Sequence, residues 1–313
     1  MAQVLALSGG IGGAKLALGL DRVLPRGHLT VVCNTGDDFD HLGLSISPDI
    51  DTVLYTLAGI ANPVTGWGRS DETWQFIAAL KELGGPTWFQ LGDKDLAVHV
   101  ERTRQLAAGH SLSAVTEQLG RCLKVQSIVI PMSDHVVHTL VDTDQGVLPF
   151  QDYFVKRRCE PIVHGFRFEG ANNATPAPGL LQLLADDALT AIIVCPSNPF
   201  ISIDPILSLP GLRQLIRGHS APVIAVSPVI DGRALKGPTA KMMIELGLEV
   251  SSATVAQHYG DLIDALVVAH TDDIKLGDSG PALLHAATRM HSQEDKCALA
   301  QAILEFAATL PRR

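Results

Sequence analysis

The chain has 313 residues, 46% of them hydrophobic and 18% charged, with a formal net charge of -9. That is enough apolar material for one large domain, or one domain with a smaller lobe. The acidic balance argues against a nucleic-acid surface, which needs clustered Lys and Arg, and no run approaches the roughly 18 apolar residues of a membrane span. Cys33, Cys122, Cys159, Cys195 and Cys297 form no Cys-x-x-Cys pair and are expected to be reduced, mostly buried thiols. Residues 1–7 read as a strand, not a signal peptide, so the expected compartment is the cytoplasm.

An apolar run at 4–7 meets Ser8-Gly9-Gly10-Ile11-Gly12-Gly13, and residues 14–24 continue with helical spacing. A β-branched strand at 29–33 follows and stops at Asn34-Thr35-Gly36-Asp37-Asp38. Strand, helix and strand of these lengths predict a βαβ unit with parallel strands. Helices are expected at 51–58, at 71–83 with Asp71 as cap, at 96–108 and at 113–119. A Gly/Pro-rich loop carrying Trp67 spans 59–70, and short strands are expected at 87–91 and 125–130. Residues 136–168 alternate, which predicts a small antiparallel extension around a helical piece near 151–156. Further on, strands at 191–195, 223–226 and 265–268 alternate with helices at 178–184, 209–217, 239–246 and 294–308. The predicted fold is α/β and Rossmann-like: a mostly parallel, doubly wound sheet with a smaller inserted α/β subdomain.

The apolar strands repeatedly stop at polar or glycine-rich segments: 8–13, 34–38, 131–135, 195–199 and 227–238. Ligands of open parallel sheets bind at such strand ends, so these segments predict one shared cleft. Gly10, Gly12 and Gly13 would let the backbone approach a phosphate, and the helix behind them offers free N–H groups. The turn is not a Walker A loop, and Lys15 stands where a dinucleotide fingerprint has its third glycine. Lys15 is either a phosphate counter-charge or a solvated helix lysine. Asp37 and Asp38, followed by Asp49 and Asp51, are hard oxygen ligands of the kind Mg²⁺ prefers. If 49–51 is extended, both of its carboxylates face one way; Asp51 alternatively caps the next helix. Asp93 and Asp95 lie in an acidic turn that reads equally well as a cap. Ser197 and Asn198, and Lys236, sit in rigid turns that can orient phosphate or ribose oxygens. His135 and His138 do not form a metal box, and no hydrolase nucleophile motif is present.

Taken in order, these blocks resemble the family of 2-phospho-L-lactate transferases of coenzyme F420 biosynthesis and its bacterial phosphoenolpyruvate-using relatives. The matching blocks run from Ser8-Gly9-Gly10-Ile11-Gly12-Gly13-Ala14-Lys15-Leu16, through Asn34-Thr35-Gly36-Asp37-Asp38 and Ser47-Pro48-Asp49-Ile50-Asp51-Thr52, to Leu91-Gly92-Asp93-Lys94-Asp95. They continue with Pro131-Met132-Ser133-Asp134, Cys195-Pro196-Ser197-Asn198-Pro199 and Leu235-Lys236-Gly237-Pro238-Thr239. The resemblance implies transfer of a phospholactyl or phosphoenolpyruvyl group from a guanosine diphosphate-activated three-carbon acid to the deazaflavin Fo, with release of GMP and Mg²⁺ as cofactor. It implies a homodimer, with residues 1–60 and 120–270 as the nucleotide-binding core and about 61–120 as a helical acceptor-side region. Carried over residue by residue, it places Gly10, Gly12, Gly13, Lys15, Ser197, Asn198 and Lys236 on the donor. Asp49 and Asp38 become the catalytic carboxylates, Asp49 and Trp67 the acceptor contacts, and Asp37, Asp38, Asp49 and Asp51 the metal ligands. The rival readings are a non-enzymatic nucleotide- or sugar-nucleotide-binding regulator of the gluconeogenesis-factor-like branch and an NAD(P)-dependent oxidoreductase; the missing third glycine disfavours the latter.

Overall fold

A computed structural model describes residues 3–234, 237–274, 276–277 and 280–312. The chain opens with β1 (Gln3–Ser8), α1 (Gly10–Val23) and β2 (Leu29–Cys33), followed by a hairpin of β3 (Phe39–His41) and β4 (Leu44–Ile46). Four helices follow: α2 (Pro48–Leu57), α3 (Gln75–Glu82), α4 (Asp93–Ala107) and α5 (Leu112–Cys122), leading into β5 (Ile128–Pro131). An antiparallel insert of β6 (His138–Thr143), β7 (Gly146–Pro149) and β8 (Val163–Glu169) interrupts the alternation. The alternation resumes with α6 (Pro178–Leu184), β9 (Leu189–Val194), α7 (Asp204–Leu207), α8 (Leu212–Arg217) and β10 (Val223–Val226). The short hairpin β11 (Val229–Ile230) and β12 (Arg233–Ala234) leads to α9 (Thr239–Glu245) and α10 (Ser252–Tyr259). Two strands, β13 (Ala265–Ala269) and β14 (Ala282–Ala286), and the helix α11 (Gln293–Thr309) complete the fold.

Seven strands form a parallel sheet in the order β14-β13-β10-β9-β1-β2-β5. β1 lies inside the sheet because it is apolar on both faces, as a strand covered by helices on each side must be. Leu5 and Leu7 point into one core layer and Val4 and Ala6 into the other, all essentially inaccessible to water. Val4, Leu5 and Leu7 contribute about 1.5–3 kcal/mol each through burial, which pins the register of the central strand. The chain leaves β1 for β2 on one side and later returns to β9 on the other. The strand order therefore reverses between β1 and β9, which opens a crevice at their C-terminal ends.

Several elements differ from the expectations drawn from sequence. Residues 49–51 are not extended: α2 begins at Pro48, with Ser47 at its N-cap. Asp71 does not cap α3, since it sits at φ 53 and Trp74 occupies the N-cap. The α3 N-terminus is satisfied from a distance instead: the Asp93 carboxylate accepts from the N–H groups of Gln75 (3.1 Å) and Phe76 (3.0 Å). Residues 87–91 form no strand, and β14, an edge strand of mixed exposure, was not anticipated. The helix expected at 209–217 begins only at Leu212, with Gly211 at φ 76 as its N-cap. The five cysteines are free, but only Cys33 and Cys195 are buried, and Cys122 is exposed. Among the described residues no helix is long and apolar enough to cross a membrane.

Candidate functional site at the sheet switch point

The glycine turn and the 195–202 segment meet at the reversal of strand order. Gly10 adopts φ 63, a conformation cheap only for glycine, and so turns the chain sharply from β1 into α1. Gly12 and Gly13 have a different reason. A Cβ on Gly13 would stand 2.6 Å from Ser197 Oγ, and one on Gly12 would collide with the Pro196 carbonyl. These two glycines let α1 close onto the neighbouring loop, a packing role in addition to the expected backbone approach to phosphate. Ser197 fastens the two loops: its Oγ accepts from Gly9 N (3.1 Å) and donates to Gly9 O (2.7 Å). Asn198 caps its own turn, accepting from Phe200 N at 2.9 Å, and its amide lies 3.4 Å from Met242 Sδ. The Lys15 ammonium donates to the Met290 carbonyl at 3.0 Å, just ahead of α11. Lys236 lies outside the described residues.

Asp49 stands at the centre of this crevice. One carboxylate oxygen accepts from Gly10 N at 2.6 Å, at the positive end of α1, and the other accepts from Asn34 Nδ2 at 3.0 Å. Asn34 is wholly buried and fully used: its amide also reaches the Ile201 carbonyl (3.3 Å), and its oxygen accepts from Gly36 N (2.8 Å). Burial pushes the Asp49 carboxyl up to about 6, against the pull of the hydrogen bonds from Asn34 and Gly10. Burial, joined by the charge of Asp49, lifts Asp37 well above the usual carboxylate range. Asp38 is also lifted by burial, with the Ser47 hydroxyl, donating at 2.7 Å, and Arg102 acting in the opposite sense. The antiparallel insert braces this acidic turn through its backbone. Gln151 Nε2 donates to the Asp37 carbonyl (3.1 Å), and Thr139 N donates to the Gly36 carbonyl (2.7 Å).

The four carboxylates expected to share an ion are divided. Positions two apart on a helix project in nearly opposite directions, so Asp51 leaves α2 away from Asp49. Its partner is Arg102 of α4, the largest fully buried side chain. The guanidinium also donates to the Ser45 carbonyl (3.3 Å) and lies 3.2 Å from His99 Nδ1. His99 in turn lies 3.3 Å from the Asp95 carboxylate, which accepts from Tyr55 Oη at 2.5 Å. Burial works against Asp95, yet His99 and Tyr55 hold its carboxyl below the usual range. Asp51, Asp95 and His99 are a trio of possible ligands with atoms within 4.8 Å of one another. Arg102 already supplies the cation there, so this cluster is a poor metal site. Asp37, Asp38 and Asp49 do not gather within that range among the described residues, but buried oxygens are left open on their side. Asp37 Oδ1 and Asp38 Oδ1 are buried without a hydrogen-bond partner, as are Ser8 Oγ at the end of β1, Thr35 Oγ1 just after β2, and, in the other cluster, Asp51 Oδ2. Unsatisfied buried acceptors at a strand end are the donor set an oxygen-liking ion takes up.

Trp67 lines a small recess that also includes Asn62, Arg69, Glu72, Trp74 and Asp95, and none of the crevice carboxylates Asp37, Asp38 and Asp49 lines it. Trp88 packs instead with Phe39, His41 and Phe89. Sequence reasoning did not single out Asn34, Arg102, His99, Tyr55 or Arg69. For α4 a signal existed: Asp95, His99 and Arg102 recur at i, i+4 and i+7, one polar stripe on a helix face.

Fold and site together define a Rossmann-like α/β protein with a carboxylate-lined crevice at its switch point. The profile of the 2-phospho-L-lactate transferase CofD family matches residues 4–293, and the chain belongs to that family. It is 42% identical over 280 residues to a phosphoenolpyruvate transferase of Kitasatospora aureofaciens, covering 87% of this chain and 86% of that one. It is 37% identical to a protein of the same name from Thermobifida fusca, covering 99% of each chain. The solved structure of protein BH3568 from Bacillus halodurans shares the fold, with a TM-score of 0.61 at 13% identity, over 98% of this chain and 99% of that one.

Proposed function

We propose that the protein transfers a phosphoenolpyruvyl or phospholactyl group from a guanosine diphosphate-activated donor to the terminal ribityl hydroxyl of Fo, releasing GMP, in coenzyme F420 biosynthesis. It does so in the cytoplasm, as a homodimer. The observation that carries this reading is Asp49: a buried carboxylate clasped between the α1 N-terminus and Asn34, inside a family-matched crevice. In the reaction the ribityl oxygen attacks the phosphorus that bears the three-carbon acid. The phosphorus–oxygen bond to GMP breaks, and the hydroxyl proton leaves. A carboxylate with a pKa near 6 is matched to accept that proton near neutral pH. Asp38 is the second carboxylate of the pair. Gly10, Gly12, Gly13 and Ser197 shape the donor side, and positioning with electrostatics supplies the rate. Asp37 and Asp38 would hold Mg²⁺, whose charge would neutralise the diphosphate and the departing GMP. Asp51, committed to Arg102, belongs to the frame around this site.

The test is a titration of purified protein with Fo, followed by Fo fluorescence, with Mg²⁺ and GDP present or absent. Saturable Fo binding, weakened by Asp49→Ala, is expected. Binding of GDP without any binding of Fo would overturn the transferase reading in favour of a nucleotide-binding regulator.

A further inference from the structure

The loop that follows β9 closes on Asp49 as a wide turn. From Pro199 to Ile203 it winds more loosely than an α-helix: the N–H groups of Ser202 (3.0 Å) and Ile203 (3.3 Å) both donate to the Asn198 carbonyl. Loosened turns of this kind are frequent at functional sites. The Ile201 carbonyl accepts from the same Asn34 amide that holds the Asp49 carboxylate. The next residue, Ser202, comes against the glycine turn. A Cβ on Gly9 would lie 2.4 Å from Ser202 Cβ and 2.9 Å from both Ser202 Oγ and Asp49 Oδ2. Hydroxyl and carboxylate therefore flank one glycine, where β1 gives way to α1.

Ser202 is only 7% exposed, and its hydroxyl has no hydrogen-bond partner among the described residues. Lack of a partner marks nothing by itself: the hydroxyls of Ser113, Thr116 and Thr288 also lack one, and all three are shut off from solvent. Ser202 Oγ differs in two ways. It keeps accessible surface, and it stands beside Asp49 at the switch point.

The surroundings decide what it meets. The 14-residue α1 begins here, and the leading N–H groups and positive end of a helix draw a phosphate. The Asp49 carboxylate repels one. A neutral hydroxyl can rotate to aim its single hydrogen at a phosphate oxygen and offset part of that repulsion. We propose that Ser202 Oγ donates to a non-bridging oxygen of the phosphoryl group under transfer, the outer phosphate of the donor, and so holds that group beside Asp49. The serine keeps its own proton throughout. This inference rests on the proposed transfer to Fo and adds a substrate contact on the donor side.

The experiment uses two nucleotides that differ by that phosphate. Affinities for GMP, GDP and Fo are measured by calorimetry for the wild type and Ser202→Ala, with Mg²⁺ and without it. Alanine keeps the Cβ that packs against Gly9. The ratio of GDP to GMP affinity should fall about tenfold or more in Ser202→Ala, the effect of losing a hydrogen bond to a charged oxygen, in both buffers. GMP and Fo affinities should stay within about twofold, while kcat/KM for the activated donor falls with the ratio. A general loss of folded protein does not move a ratio taken within one variant. If Ser202→Ala binds neither nucleotide, Ser202→Cys, a side chain of similar size with a weak donor, carries the test with the same thresholds. An unchanged ratio, a fall seen only with Mg²⁺, which would give the hydroxyl to the ion, or a loss confined to Fo overturns the inference and leaves the transferase reading in place. A wild type that binds GDP but not Fo overturns both.

Discussion

Replacing Asp49 by Asn keeps the shape of the side chain and removes its charge. Two effects follow, and pH separates them. The Asn amide must turn its NH₂ towards either Gly10 N or the Asn34 amide, both donors, so one hydrogen bond is replaced by an opposed pair of N–H groups. That costs about 1–3 kcal/mol at every pH. The second effect comes from titration. The folded carboxyl titrates at about 6, above its unfolded value of about 3.9. A group raised on folding stabilises the protein fully below the unfolded pKa, and that stability is lost as pH rises through the folded one. Between pH 5 and 7.5 the wild type therefore loses on the order of 1 kcal/mol from this residue alone, and Asp49→Asn does not. Urea unfolding in metal-free buffer, followed by tryptophan fluorescence across this range, reads the difference. The gap between variant and wild type should narrow by that amount as pH rises. Parallel profiles would refute the raised pKa of Asp49 and, with it, its role as a proton acceptor near neutral pH.

Arg102→Met should destabilise the fold by about 3–5 kcal/mol, because it leaves Asp51 buried without its counter-charge; adding Asp51→Asn should recover much of the loss in the same urea assay. Gly13→Ala forces a methyl against Ser197 Oγ; it should cost about 1–3 kcal/mol and weaken GDP binding measured by calorimetry. Mg²⁺ should raise the melting temperature of the wild type, and Asp37→Asn should abolish that increment. Asp51→Asn should keep it, and loss of the increment in that variant would return Asp51 to the metal.

Much of the fold is written locally. The central strands are short apolar runs, and the turns that end them are polar, so the parallel sheet and its crevice are legible without coordinates. Where local patterns compete, the reading falters. Asp71 has the chemistry of a cap, yet α3 is capped by Asp93 from the next helix, a partner no local window contains. Asp49 and Asp51 look alike as neighbours in an acidic run. The helix that begins at Pro48 sends one to α1 and the other to Arg102, and their roles part there. Arg102 lies among charged residues and reads as a solvated face. Its complete burial follows from α2 and β4 closing over it, which only tertiary structure decides. The glycine turn was legible as a turn, but its packing against Pro196 and Ser197 was not, since the partner lies far along the chain.

That distant partner has a bearing on how the protein matures. Gly9 is held by Ser197, 188 positions away, and Lys15 by the Met290 carbonyl, 275 positions away. β1 cannot complete its hydrogen bonding until β9 has been made. Contacts of such long range form slowly, because a large loop must close before they are rewarded. During synthesis the glycine turn waits for β9, and Lys15 for residue 290, before the crevice takes shape. A nascent chain would acquire its binding ability as a late, all-at-once event, so ligand capture during translation would report completion of the whole domain.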